Sequence, residues 1–202
     1  PAISAAGFTA GCKLIKHGFY PAGGGKMNFR TEPGDQPPKP IELCTGEDEF
    51  EVHARIYTAK LPAHIARRQE ELLMQSGLDI SDVEHIDAAD SQGPGNCVMI
   101  RLLGAGRTTV FTAFGEKGKP SKKVVGEAVA QAQAFLASGA AVDRYLADQL
   151  LIYMALSGAG AFTTSELSNH LLTNIEVIKQ FLPVEFATVE EGGKYRISCQ
   201  SG

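Results

Sequence analysis

The run His17-Gly18-Phe19-Tyr20-Pro21-Ala22-Gly23-Gly24-Gly25 constrains this chain more than any other stretch. Glycine loses more conformational freedom on folding than any other residue. It is therefore found where backbone needs positive φ or must approach another group closely. A φ-locked proline and an aromatic pair lead into the three glycines, which predicts a fixed turn and not a loose linker. Residues 8–16 alternate toward Cys12, Leu14 and Lys16, and residues 25–31 alternate through Met27, Phe29 and Thr31, so two strands flank the turn as a hairpin-like pair. No Gly-Lys-Ser/Thr follows Gly25, so the run does not read as a phosphate loop. A structural role is expected for Pro21, Gly23, Gly24 and Gly25, with His17 positioning the turn.

The rest of the chain has the composition of a globular protein. It has 202 residues, 44% of them hydrophobic, without a long uncharged apolar run, which excludes disorder and a membrane-spanning helix. The net charge of -4 argues against strong non-specific binding to nucleic acid, which rests on neutralising many phosphates. A nucleic-acid ligand, on such a chain, would have to be gripped locally. Cys12, Cys44, Cys97 and Cys199 are far apart, with no C-x-x-C pair, and fit neither a zinc site nor a disulfide framework. A reducing cytoplasm is the expected location. Residues 1–6 read as the end of a helix stopped by Gly7. A chain starting inside an element reads as a fragment, which need not be active alone.

Residues 33–40 read as a Pro/Gly loop, and a short strand begins at Ile41–Leu43. Phe50 to Ala59 reads as a strand with Val52, Ala54 and Ile56 on one face. Pro62 is expected to open a helix through Gln75. Strands are expected at Val98–Leu103 and Thr108–Phe114, and an alanine-rich helix from Lys122 to Leu136. This β-α-β-β-α block, residues 47–138, is expected to be a small domain of its own. A second strong helix is expected from Val142 to Leu156, with Tyr145, Leu146, Leu150, Tyr153 and Met154 on its buried face. A strand follows at Phe162–Leu167, then a helix capped by Ser168 or Asn169 and running to Phe181. The chain closes with strands 184–190 and 194–199 about a Gly192-Gly193 hairpin turn.

Four side chains are candidates for chemistry. His170 stands at a predicted helix N-terminus, where free amides and the positive end of the helix dipole favour an anionic phosphate. A neutral imidazole there is able to attack phosphorus, and a capping histidine without chemistry is the alternative. Asp148 lies on the preceding helix among Leu146, Leu150 and Leu151, and a carboxylate in such company needs a partner. It would orient His170, meet a metal, bind substrate or form a salt bridge. Tyr145, one turn earlier on the same face, is either core packing or a stacking platform, and Gln149 adjoins them. His53, His64 and His85 lack metal-like spacing. The clusters Arg67-Arg68 and Lys119 to Lys123 read as solvated faces.

Several motifs together resemble the RNA 3'-terminal phosphate cyclases. They are the glycine run, Gln92-Gly93-Pro94-Gly95-Asn96, Tyr145-Leu146-Ala147-Asp148-Gln149-Leu150, Met154-Ala155-Leu156-Ser157-Gly158-Ala159-Gly160, and His170-Leu171-Leu172-Thr173-Asn174-Ile175 followed by Phe181-Leu182-Pro183. Their order and spacing are those of the family. Met27 and the basic Ser121-Lys122-Lys123 depart from its pattern, outside the residues that would do chemistry. The resemblance implies an α+β fold of repeated units, each two helices on a four-stranded sheet, like the C-terminal domain of translation initiation factor 3 and shared with enolpyruvyl transferases. A small α+β domain would be inserted in the third repeat. Residues 1–46 would then hold the end of the second repeat and the start of the third, 47–138 the insert, and 139–202 the rest of the third.

The resemblance also implies a ligase that uses ATP and Mg or Mn to convert an RNA 3'-terminal phosphate to a 2',3'-cyclic phosphate. His170 would be the nucleophile that takes AMP, Asp148 part of the active site, and Tyr145, Asp148 and Gln149 the adenine-binding residues. The family's phosphate-binding arginines and its glutamate metal ligand would lie upstream of Pro1. Two other classes share these features in part: non-catalytic cyclase-like binding factors in ribosome assembly, which lack the histidine, and enolpyruvyl transferases.

Overall fold

The computed structural model describes residues 2–32, 37–47 and 49–202. Pro1, Asp48 and residues 33–36 of the expected loop lie outside them. The elements in chain order are α1 (Ala2–Ala5), β1 (Thr9–Lys16), β2 (Lys26–Glu32), β3 (Ile41–Leu43), β4 (Glu51–Ala59), α2 (Ala63–Met74), β5 (Ile80–Asp87), β6 (Gly95–Leu103), β7 (Thr108–Phe114), α3 (Ser121–Ser138), α4 (Arg144–Ser157), β8 (Ala159–Thr164), α5 (Asn169–Phe181), β9 (Val184–Glu191) and β10 (Lys194–Ser201). The protein is α+β with mixed sheets. The chain divides into two compact units: Pro1–Gly11, Thr31–Asp48 and Phe135–Gly202 form one, and Cys12–Arg30 with Glu49–Ala134 form the other.

The first unit is built on a four-stranded sheet in the order β3-β8-β10-β9. β3 runs parallel to β8, with Ile41 opposite Gly160, while β10 runs antiparallel to both β8 and β9. Gly160 is required by that pairing. Its φ is +141° and a Cβ there would stand 2.7 Å from the Ile41 carbonyl oxygen, so only glycine lets β3 come this close. Helices α4 and α5 bury Leu150, Leu151, Met154, Leu171, Ile175 and Ile178 in one core with Phe162, Val184 and Ile197. Gly192 and Gly193, both at positive φ (59° and 84°), join β9 to β10 as a two-residue hairpin turn needs.

The second unit has a sheet in the order β5-β4-β6-β7, together with residues 12–16 of β1 and 26–30 of β2, which pair as a two-stranded sheet. β4 is parallel to β5 and antiparallel to β6, and β6 is antiparallel to β7. Val52, Ala54 and Ile56 of β4 are buried in alternation, as expected. A buried amide pair ties α2 to β6: Gln69 Nε2 donates to Asn96 Oδ1 at 2.6 Å, and Asn96 Nδ2 donates to Gln69 Oε1 at 2.8 Å and to the Tyr57 carbonyl at 3.1 Å. Satisfied on both sides, this pair costs little to bury and fixes the helix on the sheet.

The structure differs from the sequence expectations at five points. β5 was not expected, because Ile80, Val83 and Ile86 recur at every third position between acidic residues, a spacing that does not advertise a strand. Parallel pairing with β4 creates it. β8 lies at Ala159–Thr164 and not at Phe162–Leu167, since small residues begin the strand and the chain turns toward α5 after Thr164. Tyr145 is 54% exposed and off the buried face of α4, which runs through Ala147, Leu150, Leu151, Met154 and Ala155. Pro62 precedes α2 as its N-cap, with extended ψ of 137°. The alternation in β1 and β2 also buries neither face fully: Leu14, Met27 and Phe29 are 50%, 61% and 68% exposed.

Candidate active site

The candidate site is assembled at one edge of the first unit's sheet. Asp143, buried, caps α4 by accepting from the amides of Tyr145 (2.8 Å) and Leu146 (3.1 Å). Ser168 caps α5 by accepting from the Leu171 amide at 3.1 Å. An Asp or Ser just before an apolar-periodic run is the signature of a helix start. On sequence alone Ser168 is named as a cap and the other helix begins at Val142, whereas the structure begins it at Arg144 with Asp143 as its cap. Val142 forms a bridge to Thr164, the last residue of β8, from which the chain leads into α5. Thr163 Oγ1 adds to this junction, accepting from the Ala141 amide at 3.0 Å and donating to the Cys44 carbonyl at 3.1 Å. Both helices therefore start beyond the C-terminal ends of the parallel strands β3 and β8, where open α/β sheets place their ligand crevices. Two helix N-termini share that edge: the Asp143 carboxylate fills that of α4, while α5, capped by a neutral serine, keeps the amides of Asn169 and His170 without an intrahelical partner.

His170 is the second residue of α5 and is exposed, and no hydrogen bond or ion pair reaches its ring among the described residues. Tyr145 holds the same position in α4. The Arg144 guanidinium lies 5.3 Å from its ring centroid, and Arg144 Nη1 is 3.0 Å from Glu166 Oε1 on the segment leading to α5. Such a stacked cation restrains the ring by a modest amount at an exposed site. Asp148, half-buried one turn after Tyr145, accepts at Oδ1 from the Asn174 side-chain amide, one turn after His170. No hydrogen bond joins Asp148 to His170 itself. Gln149 is exposed. The structure thus brings Tyr145, Asp148 and His170 onto two packed helices that start together. Asp143, Arg144, Glu166 and Asn174 were not singled out from sequence. Asn174 was legible only as the residue four after His170, on the same helix face.

The glycine motif belongs to the second unit, where it meets the Gln92–Asn96 motif. The His17 amide donates to Asp90 Oδ2 at 2.9 Å, and Nδ1 of its ring is 2.8 Å from Oδ1 of the same carboxylate. The Tyr20-Pro21 peptide is cis, and Gly23 and Gly24 take φ of 63° and 74°. A Cβ on Gly18 would lie 2.3 Å from the Gly25 amide nitrogen, so the two arms of the turn touch backbone to backbone. A Cβ on Gly95 would lie 2.0 Å from the Phe19 ring, and one on Gly24 2.3 Å from the Gln92 side chain. Gly95→Ala is expected to lower stability by about 1–3 kcal/mol, the usual cost of overpacking, with Phe19 displaced. Denaturant titration followed by Phe19 ring shifts in NMR checks it; an unchanged midpoint would contradict the contact.

Asp90 has a pH consequence. Acceptance from the His17 amide, then from its ring, holds the Asp90 carboxyl below the usual carboxylate value. A carboxyl whose folded value is lowered contributes stability above its unfolded value, near 3.9 for aspartate, and loses it as pH falls through the folded value. The His17 amide is therefore expected to stay protected from exchange through the ordinary aspartate value of about 3.9 and to lose protection only at lower pH, as the Asp90 carboxyl takes up its proton. Amide exchange against pH measures this, and Asp90→Ala should remove the protection at every pH. The four cysteines are free, and burial pushes the Cys97 thiol up to about 11. Among the described residues no group of three His, Cys, Asp or Glu side chains is arranged to hold a metal ion, and no helix is long and apolar enough to cross a membrane.

A profile of the RNA 3'-terminal phosphate cyclase family matches residues 1–188. The chain is similar to the RNA 3'-terminal phosphate cyclase of Koribacter versatilis, at 39% identity over 202 residues, which cover all of this chain and 57% of that protein. The Pseudomonas aeruginosa (strain UCBPP-PA14) protein of the same name is 38% identical over 204 residues, covering all of this chain and 59% of its own length. The Salmonella enteritidis one is 36% identical over 200 residues, covering 98% of this chain and 58% of its own length. The chain thus spans less than two thirds of these relatives. With motifs, profile and whole-chain identity in agreement, the chain belongs to the RNA 3'-terminal phosphate cyclase family.

Proposed function

We propose that this chain carries the nucleotidyl-transfer site of an ATP-dependent RNA 3'-phosphate cyclase, with His170 as nucleophile. The observation that carries the reading is an exposed, unpartnered imidazole in the first turn of α5, with Tyr145 and Asp148 on the helix that starts at the same edge. In this reading a ring nitrogen of His170 forms a bond to the α-phosphorus of ATP as the bond to the β-phosphate oxygen breaks. Pyrophosphate leaves, and the imidazolium proton passes to solvent. The phosphoramidate keeps the nucleotide activated. A 3'-phosphate oxygen of RNA then displaces the imidazole, and the adjacent 2'-hydroxyl displaces AMP to close the cyclic phosphate. Tyr145, with Arg144 on its ring, would stack the adenine, Gln149 would edge it, and the N-terminus of α5 would face the phosphate charge.

A divalent cation, Mg or Mn, would neutralise the triphosphate when bound. The described residues hold no three-ligand group for it. The same reading assigns the first unit's sheet and its two helices to a repeat of the kind found in translation initiation factor 3 and enolpyruvyl transferases. Residues 1–46 and 139–202 would then belong to such repeats and 47–138 to an insert, in a cytoplasmic enzyme. Intact mass after incubation with ATP and Mg or Mn tests the chemistry, on this chain and on its longest native form. One added adenylyl group, discharged by RNA bearing a 3'-phosphate, is expected. No adduct on either form would favour a binding factor instead.

A further inference from the structure

Asn174 lies in a motif already quoted, but the reaction gives it no task. Its side-chain amide donates to Asp148 Oδ1, the hydrogen bond between side chains that joins α5 to α4 at the candidate site. Asn174 lies one turn beyond His170, and Asp148 one turn beyond Tyr145, so the bond links the two faces that carry the proposed nucleophile and the proposed adenine platform. Asp148 has no other hydrogen-bond partner among the described residues, which leaves Oδ2 open to a donor from substrate. We infer that Asn174 is a positioning residue for adenylylation: it fixes the Asp148 carboxylate by one oxygen and presents the other to the bound nucleotide. The inference rests on the nucleotidyl-transfer reading above.

An amide is suited to this task. It donates without bringing a charge that would hold both carboxylate oxygens and shut out the nucleotide's own N–H or O–H donors, as a lysine or arginine would. The other charged groups of the two helices are engaged elsewhere. Arg144 pairs with Glu166, Lys179 stands 4.0 Å from Glu176 and 3.8 Å from Glu185, and Asp143 caps α4. On the strands packed against them, Lys194 donates to the Gly139 carbonyl.

The test is the single-turnover rate of adenylyl-enzyme formation, on whichever form of the wild-type protein forms the adduct, with N174A and N174D. N174A is expected to slow adduct formation about 10- to 100-fold, the range carried by a hydrogen bond to a charged group, with the thermal midpoint little changed. N174D places two carboxylates in contact, where one of them binds a proton far more readily than an isolated aspartate. Once protonated it donates in place of the amide. The N174D rate relative to wild type is therefore expected to be as poor as that of N174A at pH 8 and to recover toward pH 5.5. Rates equal to wild type in N174A, or losses in both variants that track a lowered midpoint and show no pH recovery, would overturn the positioning role while leaving the nucleophile in place. No adduct on the wild type in any form would remove both readings.

Discussion

Replacing His170 with alanine is expected to abolish the adenylyl adduct, a loss on the order of 10³-fold or more in rate, as removal of a covalent nucleophile does. The fold should stand. The imidazole is exposed and makes no hydrogen bond or ion pair among the described residues, so its removal is expected to change stability by no more than about 0.5 kcal/mol. Mass spectrometry after incubation with labelled ATP, beside circular dichroism and a thermal melt, separates the two effects. Retained labelling in a folded H170A protein would sink the assignment of the nucleophile and send the search to another side chain. Loss of labelling together with loss of fold would mean that His170 does structural work the geometry does not show.

Phe162→Ala is expected to have the largest effect on stability. Phe162 is fully buried at the centre of β8, opposite Ile197 of β10 and Leu43 of β3, beneath α4 and α5. Truncating a buried phenylalanine costs about 3–5 kcal/mol, from lost transfer free energy and from the cavity left behind. That is a large part of the 5–15 kcal/mol of a typical domain. The consequence reaches the site, because both helix starts are hung on the end of β8: α4 through the Val142–Thr164 bridge and α5 through the segment after Thr164. Denaturant unfolding is expected to shift by that amount and adenylylation to fall with it. A shift below about 1 kcal/mol would mean that the neighbouring side chains collapse into the space, so that Phe162 is not the keystone of the sheet.

Much of the site could be read before any coordinates. Helix α5 was expected from a capping residue at 168 or 169 to Phe181, and the structure has it at Asn169–Phe181 with Ser168 as the cap. The reason is local: a hydroxyl before an apolar run with Leu171, Ile175 and Ile178 at helical spacing. The strand β5 escaped because its identity comes from a neighbour. Nothing in Ile80–Asp87 alternates, and its residues are extended because β4 offers them a parallel ladder. Tyr145 was put on the buried face because an aromatic among leucines looks like core. Its place in the first turn, off the line of Ala147, Leu151 and Ala155, leaves it 54% exposed.

The division between the two kinds of information follows the range of the forces. The turn at Gly192-Gly193, the glycine run, the helix starts and the motif order are written in residues within a few positions of one another, where sterics and capping bonds act. Three other features are not written locally. They are the clamp of Asp90 on His17, 73 residues apart, the seat of Phe19 against Gly95, and the bond from Asn174 to Asp148, 26 residues apart. Each depends on which strands pair and in what register, and on which helix faces then meet. Those choices are made by burial of the whole core, with Gly160 admitting β3 to β8 and Phe162 filling the space beneath the helices. Residue types at one point of the chain do not carry that outcome, because the free energy that decides it is summed over side chains far apart in the sequence.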